Sequence, residues 1–159
     1  VDVATTVERS LLTYLQLCDV PAGHAPGVGL RELFTPDAVW EGVGADYGQE
    51  FGRHEGREAV LRVLARYLPP SPHFRANVHL LSPGLVEVTG PDTARGSWTM
   101  QQFARYDDGS ADVRLARLDV GFVLPAGGEP ARISSFRTRG MFAHPLAAES
   151  TAVGGDRVR

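Results

Sequence analysis

The chain has 159 residues, a formal net charge of −3 and one cysteine, enough for a single domain that buries roughly two-thirds of its surface without disulfides. All 16 basic residues are arginine; without lysine there is no Schiff base, no pyridoxal phosphate attachment and no phosphate-binding loop of the usual kind, and the scattered arginines form no basic stripe for nucleic acid. No apolar run approaches the length of a bilayer and the N-terminus lacks a charged-then-apolar signal pattern, so the expectation is a cytoplasmic protein with a small molecule or another subunit as partner, not a membrane.

In chain order, Val3, Val7, Leu11, Leu12, Leu15 and Cys18 recur at three- and four-residue spacing and predict a first helix with one apolar stripe. Val20-Pro21 ends it. Asp19 falls four after Leu15 on that stripe, where a carboxylate is costly unless something uses it. At the negative end of a helix and partly withdrawn from water, it is placed to take part in proton transfer. The alternative is an outward-pointing residue of a frayed last turn. Cys18, inside the helix, reads as a small core residue, not a nucleophile.

Residues 20–29 read as a loop, Leu30-Arg31-Glu32-Leu33-Phe34 as a short second helix stopped by Thr35-Pro36-Asp37, and residues 38–43 as a strand that carries Trp40 on the face of Ala38 and Gly42. Residues 44–55 are glycine-rich and polar; residues 57–68 return to helical spacing and end at Pro69-Pro70. Thereafter the period becomes two. Strands are predicted over 73–81, 85–89, 94–106, 111–124 and 131–142, joined by turns at Pro91-Asp92, Asp107-Asp108-Gly109 and Gly127-Gly128, and therefore antiparallel. Residues 1–145 form the one domain, and 146–159 are expected to be a disordered tail.

Helices first and a long antiparallel sheet second make an α+β arrangement with the helices on the sheet's concave face. In the strand over 111–124, Ala116, Leu118, Val120 and Phe122 share an apolar face and Arg117 and Asp119 a mixed one. The mixed face is expected to line a pocket, and the apolar face to meet another subunit.

His73, Arg75, Asn77 and His79 fall on one strand face. His73 and His79 lie about 20 Å apart along an extended strand, and no metal-binding spacing occurs, so no metal is expected. There is no GxSxG elbow and no dinucleotide fingerprint, which disfavours covalent catalysis, and no cofactor is expected. The candidates for acid, base and orienting groups are Asp19, His73, Tyr14, Arg117 and Asp119, with Trp40 as a pocket wall.

Three segments carry a resemblance: residues 33–40 (LFTPDAVW), residues 56–60 (GREAV), and His73-Phe74 with Asn77. Together, over residues 6–142, they resemble the SnoaL-like branch of the nuclear-transport-factor-2-like superfamily. The resemblance implies a cone-shaped α+β barrel in which three N-terminal helices pack on a strongly curved antiparallel sheet around a pocket, in dimers or trimers. Within the superfamily, the pattern is similar to scytalone dehydratase and bile-acid 7α-dehydratase, whose sites use a first-helix Asp, a nearby Tyr and a His entering the sheet. Asp19, Tyr14 and His73 stand at matching places. The second catalytic histidine of scytalone dehydratase has no counterpart among residues 114–117, and Asp119 falls near that family's active-site Asn.

The resemblance implies a cofactor-independent dehydratase, isomerase or cyclase for a polycyclic or polyketide-like molecule. Asp19 and His73 would be catalytic, His73 abstracting or returning a proton next to a carbonyl and Asp19 orienting or polarising it; Tyr14, Trp40, Asn77, Arg117 and Asp119 would bind substrate. It also leaves room for a non-catalytic binding or assembly module, or an accessory subunit with a filled cavity.

Overall fold

The computed structural model describes residues 2–25, 27–127 and 129–148. Of the tail expected from residue 146, residues 149–159 lie outside these, and Leu146 ends a strand. In chain order the elements are α1 (Val3–Cys18), α2 (Leu30–Leu33), β1 (Phe34–Val43), α3 (Ala45–Phe51), β2 (Arg53–Glu55), α4 (Arg57–Ala65), β3 (Phe74–Leu81), β4 (Leu85–Gly90), β5 (Thr93–Tyr106), β6 (Ala111–Val123) and β7 (Arg132–Leu146).

The strands form one sheet in the order β2-β1-β7-β6-β5-β3, with β4 also paired to β5. Pairing is antiparallel except that β1 runs parallel to β7. The sheet curls round the helices as an α+β cone but does not close.

Asp2 caps α1 by accepting the Thr5 N–H at 3.1 Å. The helix then buries Val7, Leu11, Tyr14, Leu15 and Cys18, while Leu12 turns outward. This stripe packs on Trp98, Leu118, Val120, Phe122 and Ile133 of the sheet, with Leu33, Phe34, Val60 and Leu64 completing the core.

The two faces of β6 are therefore the reverse of the sequence expectation. Leu118, Val120 and Phe122 are at most 2% exposed and form the concave core face, whereas Arg117 stands exposed on the convex side and Asp119 shares that side. The helices' apolar stripes can be dehydrated only against an apolar sheet face, and the charged face keeps its solvation by facing out.

Two further segments differ from expectation. Thr35-Pro36-Asp37 does not break the chain before the strand but lies within β1, at the irregularity between Phe34 and Val39 where the register with β7 shifts. Proline is tolerated there because the ladder is already interrupted.

The glycine-rich stretch after β1 contains a helix, α3, set between Gly44 (φ 87°) and Gly52 (φ 66°). It lies directly on the sheet because Gly42 and Gly140 have no side chains. A Cβ on Gly42 would collide with the Tyr47 carbonyl and stand 2.9 Å from Phe51 Cβ, and one on Gly140 would stand 2.7 Å from the Tyr47 ring. Gly42→Ala is accordingly expected to lift α3 and lower stability by about 1–3 kcal/mol, read as a shift of the denaturation midpoint; an unchanged midpoint would show that α3 is not seated there.

Candidate active site

Toward one end of the concave face the inward side chains change from aliphatic to aromatic and polar, and a cavity opens. Its walls come from α1 (Tyr14, Cys18), β1 (Trp40), α3 (Tyr47, Phe51), the segment after α4 (Tyr67), and the inward positions of β3, β5, β6 and β7.

The helix-terminal carboxylate stands behind the cavity wall, against His79, which lines it. Helix α1 stops at Cys18, and Asp19 takes an extended conformation. Val20 then pairs with Asn77 of β3 through two backbone hydrogen bonds of 2.9 Å. The Asn77 amide nitrogen donates to the Cys18 carbonyl at 3.2 Å, and its oxygen accepts from Gln102 at 2.7 Å. So pinned, Asp19 Oδ1 accepts the His79 backbone N–H at 3.0 Å and lies 2.7 Å from His79 Nδ1.

Both side chains are largely buried, 16% exposed for Asp19 and 9% for His79. A carboxylate on Nδ1 fixes the tautomer with its proton on that nitrogen. Nε2, which has no hydrogen-bond partner among the described residues, is left to the cavity that His79 lines. A pair built this way can take a proton at Nε2 while the carboxylate stabilises the resulting imidazolium.

His73 lines the same cavity but is not the partner of Asp19. It stands just before β3, with its ring edge-on to Tyr67 (5.0 Å between centroids), Phe74 (4.4 Å) and Tyr106 (5.5 Å). Asp19 reaches the cavity through His79 instead. Period two puts His73, Arg75, Asn77 and His79 on one face, but the register with β5 shifts between Phe74 and Ala76 and Arg75 stands exposed, so only Asn77 and His79 keep that alternation within β3; the bridge at Val20 then sets Asp19 beside His79, away from the start of the strand.

Tyr14 and Trp40 are joined: the indole N–H donates to the phenol oxygen at 3.0 Å, and Trp40 stacks on Phe136 with an interplanar angle of 2°. Burial, and then the neighbouring Cys18, push the Tyr14 phenol well above its usual range, so it stays a neutral hydroxyl. Burial likewise pushes the Cys18 thiol up to about 12, which removes it as a nucleophile at neutral pH.

Arg117 and Asp119 are separated from all of this. They lie on the convex face, where Asp119 borders a groove with Glu41, Arg95 and Arg137. The sequence reading missed Arg114, which shares the inward alternation of Ala116 and Leu118 and lines the cavity. Its guanidinium donates to Asp112 at 3.0 Å and to both Glu50 oxygens at 2.9 and 3.1 Å. Asp112 also accepts the Tyr106 hydroxyl at 3.0 Å. The signal for Arg114 was the alternation itself, once the apolar face is known to point inward.

The chain that carries this site has relatives. The family described as SnoaL-like domain matches residues 6–129. The chain belongs to the SnoaL-like family. No curated protein matches the sequence significantly.

Among solved structures, this SnoaL-like chain is similar to a hexachlorocyclohexane dehydrochlorinase, LinA type 2 (TM-score 0.71, 16% identity, 96% of this chain and 94% of that one). It is also similar to a candidate scytalone dehydratase from Novosphingobium aromaticivorans (TM-score 0.70, 16% identity, 95% and 94%). A nuclear-transport-factor-2-like protein of the same organism aligns with a TM-score of 0.60 at 20% identity, over 86% of this chain and 80% of the other. At such identities the likeness is one of fold. Among the described residues, no helix is long and apolar enough to cross a membrane.

Proposed function

We propose that the protein is a cofactor-independent acid–base enzyme that moves a proton at a carbon next to a carbonyl group, in the dehydration, isomerisation or cyclisation of a polycyclic or polyketide-like molecule of secondary metabolism. The observation that carries this reading is the 2.7 Å contact of Asp19 with His79 Nδ1, which leaves Nε2 toward an aromatic-walled cavity. The base is accordingly assigned to His79 in place of His73, which becomes a wall of the pocket.

In the proposed reaction, His79 Nε2 takes the proton as the C–H bond breaks, and the electron pair passes into an enolate. Asp19 holds the Nδ1–H and stabilises the imidazolium. If the β-carbon carries a hydroxyl group, the enolate collapses to a C=C bond, the C–O bond breaks, and the imidazolium returns its proton to the departing oxygen as water. Return of the proton to another carbon is isomerisation; attack of the enolate on a second carbonyl, with the proton going to the new alkoxide, is cyclisation.

Trp40 and Phe136 offer flat walls to a ring, and Tyr14 a neutral hydroxyl beside it. Asn77 enters as a positioning residue, since its amide groups are engaged with Cys18 and Gln102.

The chain is further proposed to assemble with copies of itself through the convex face. Val78, Leu80, Phe103 and Phe142 are between 40% and 54% exposed there, and they form a stripe across neighbouring strands through the pairings Val78↔Phe103, Phe103↔Val113 and Leu115↔Phe142.

The function is tested by incubating the protein with 1-tetralone, a bicyclic ketone, in deuterated buffer containing a chelator and following loss of the α-proton signal by NMR. Exchange about 10²–10⁴-fold above the same buffer is expected, the usual worth of a positioned acid–base group. If 1-tetralone binds without exchange above background, the non-catalytic binding module is the correct reading.

A further inference from the structure

Besides His79 Nε2, the cavity lining holds a buried hydroxyl that has no hydrogen-bond partner among the described residues. Among the described residues, five buried side-chain atoms lack a partner: Ser10 Oγ, Thr35 Oγ1, Arg57 Nε, Trp98 Nε1 and Thr138 Oγ1. Of these, Thr138 alone belongs to a residue that lines the cavity, and it is 4% exposed.

Its place in the sheet explains why the hydroxyl has been left over. Thr138 pairs with Gly42 of β1 on one side and Leu118 of β6 on the other, neither of which has a polar side chain to meet it. Along β7 its same-face neighbours are Phe136, stacked on Trp40, and Gly140, beneath the Tyr47 ring. The hydroxyl therefore sits between aromatic walls.

A buried hydroxyl without a partner is destabilising, a cost that a ligand atom able to bond it removes. The nearby charge narrows what that atom can be. Arg114, the cation of the cavity, is already shared by two carboxylates, Asp112 and Glu50. The cluster offers no free positive charge to a carboxylate or phosphate, and a neutral oxygen acceptor fits better.

We propose that Thr138 is a specificity-determining residue that donates its hydroxyl proton to an uncharged ring-bound oxygen of the substrate, a ketone for choice, and so sets which carbon of the ring faces His79. The inference rests on the cavity being the substrate site.

Two probes differing only in that oxygen test it: 1-tetralone and the parent hydrocarbon tetralin, with dissociation constants from quenching of tryptophan fluorescence for wild type, Thr138→Val and Thr138→Ser. Wild type is expected to prefer the ketone by about 2- to 10-fold, the worth of one neutral hydrogen bond. Valine, of nearly the same shape, is expected to abolish the preference, and serine, which restores the hydroxyl, to retain it.

A preference that survives in Thr138→Val while wild type still exchanges the α-proton of 1-tetralone overturns the role of Thr138 and leaves the catalytic reading standing. Equal affinity of wild type for both probes also overturns it. Failure of wild type to bind either probe overturns both, since the cavity is then not a site for a bicyclic ketone.

Discussion

His79→Gln is expected to lower the catalysed proton exchange by about 10²–10⁴-fold with the fold intact, whereas His73→Gln is expected to stay within about threefold of wild type. The contrast follows from the geometry. Both imidazoles line the cavity, but only His79 has a carboxylate on Nδ1, at 2.7 Å, to set its tautomer and to stabilise the charge it acquires.

Glutamine keeps a polar group of similar reach but cannot accept a proton at neutral pH. Asp19→Asn keeps the shape and removes the charge, and it is expected to cost between about 10- and 10⁴-fold. Exchange rates for the three variants, with circular dichroism as the folding control, check the assignment. A His79→Gln protein within threefold of wild type would return the role of base to His73.

The second large effect is expected at Asn77, which touches no reacting atom. Its side chain is 2% exposed, and its amide joins the last carbonyl of α1 to Gln102. Asn77→Leu leaves the buried Cys18 carbonyl and the half-buried Gln102 amide without these partners, at a cost of about 1–3 kcal/mol.

The same bonds hold the end of α1 against β3 just where Asp19 meets His79, so exchange activity is expected to fall together with the denaturation midpoint. Loss of stability with full activity per folded molecule would show that the backbone bridge between Val20 and Asn77 alone places Asp19. An unchanged midpoint would show that the amide contacts are not formed.

The order of the elements is legible without a structure because each signal is local. The period of two over β3 to β7 and the turns between them place those strands within a few residues of their observed ends. Segment α3 was not legible. Its glycine-rich, polar sequence carries no helical period because what stabilises the helix is the seat that Gly42 and Gly140 leave for Tyr47, a contact between residues far apart in the chain.

The faces of β6 show the same limit. Alternation shows that Leu118 and Arg117 lie on opposite sides, but which side is concave depends on where the helices pack.

By itself, then, the sequence determined the α+β class, the apolar stripe of α1, a carboxylate just past its end, and a strand that carries Asn77 and His79 on one face, since these depend only on residue type and local period. Only the tertiary structure decided that Asp19 pairs with His79, that Arg114 and Thr138 enter the cavity, and that Arg117 and Asp119 do not. Partners sixty residues apart, as Asp19 and His79 are, are chosen by how the helix end crosses the strand, and the energy that sets that crossing is the burial of the whole core, not any property of the two residues.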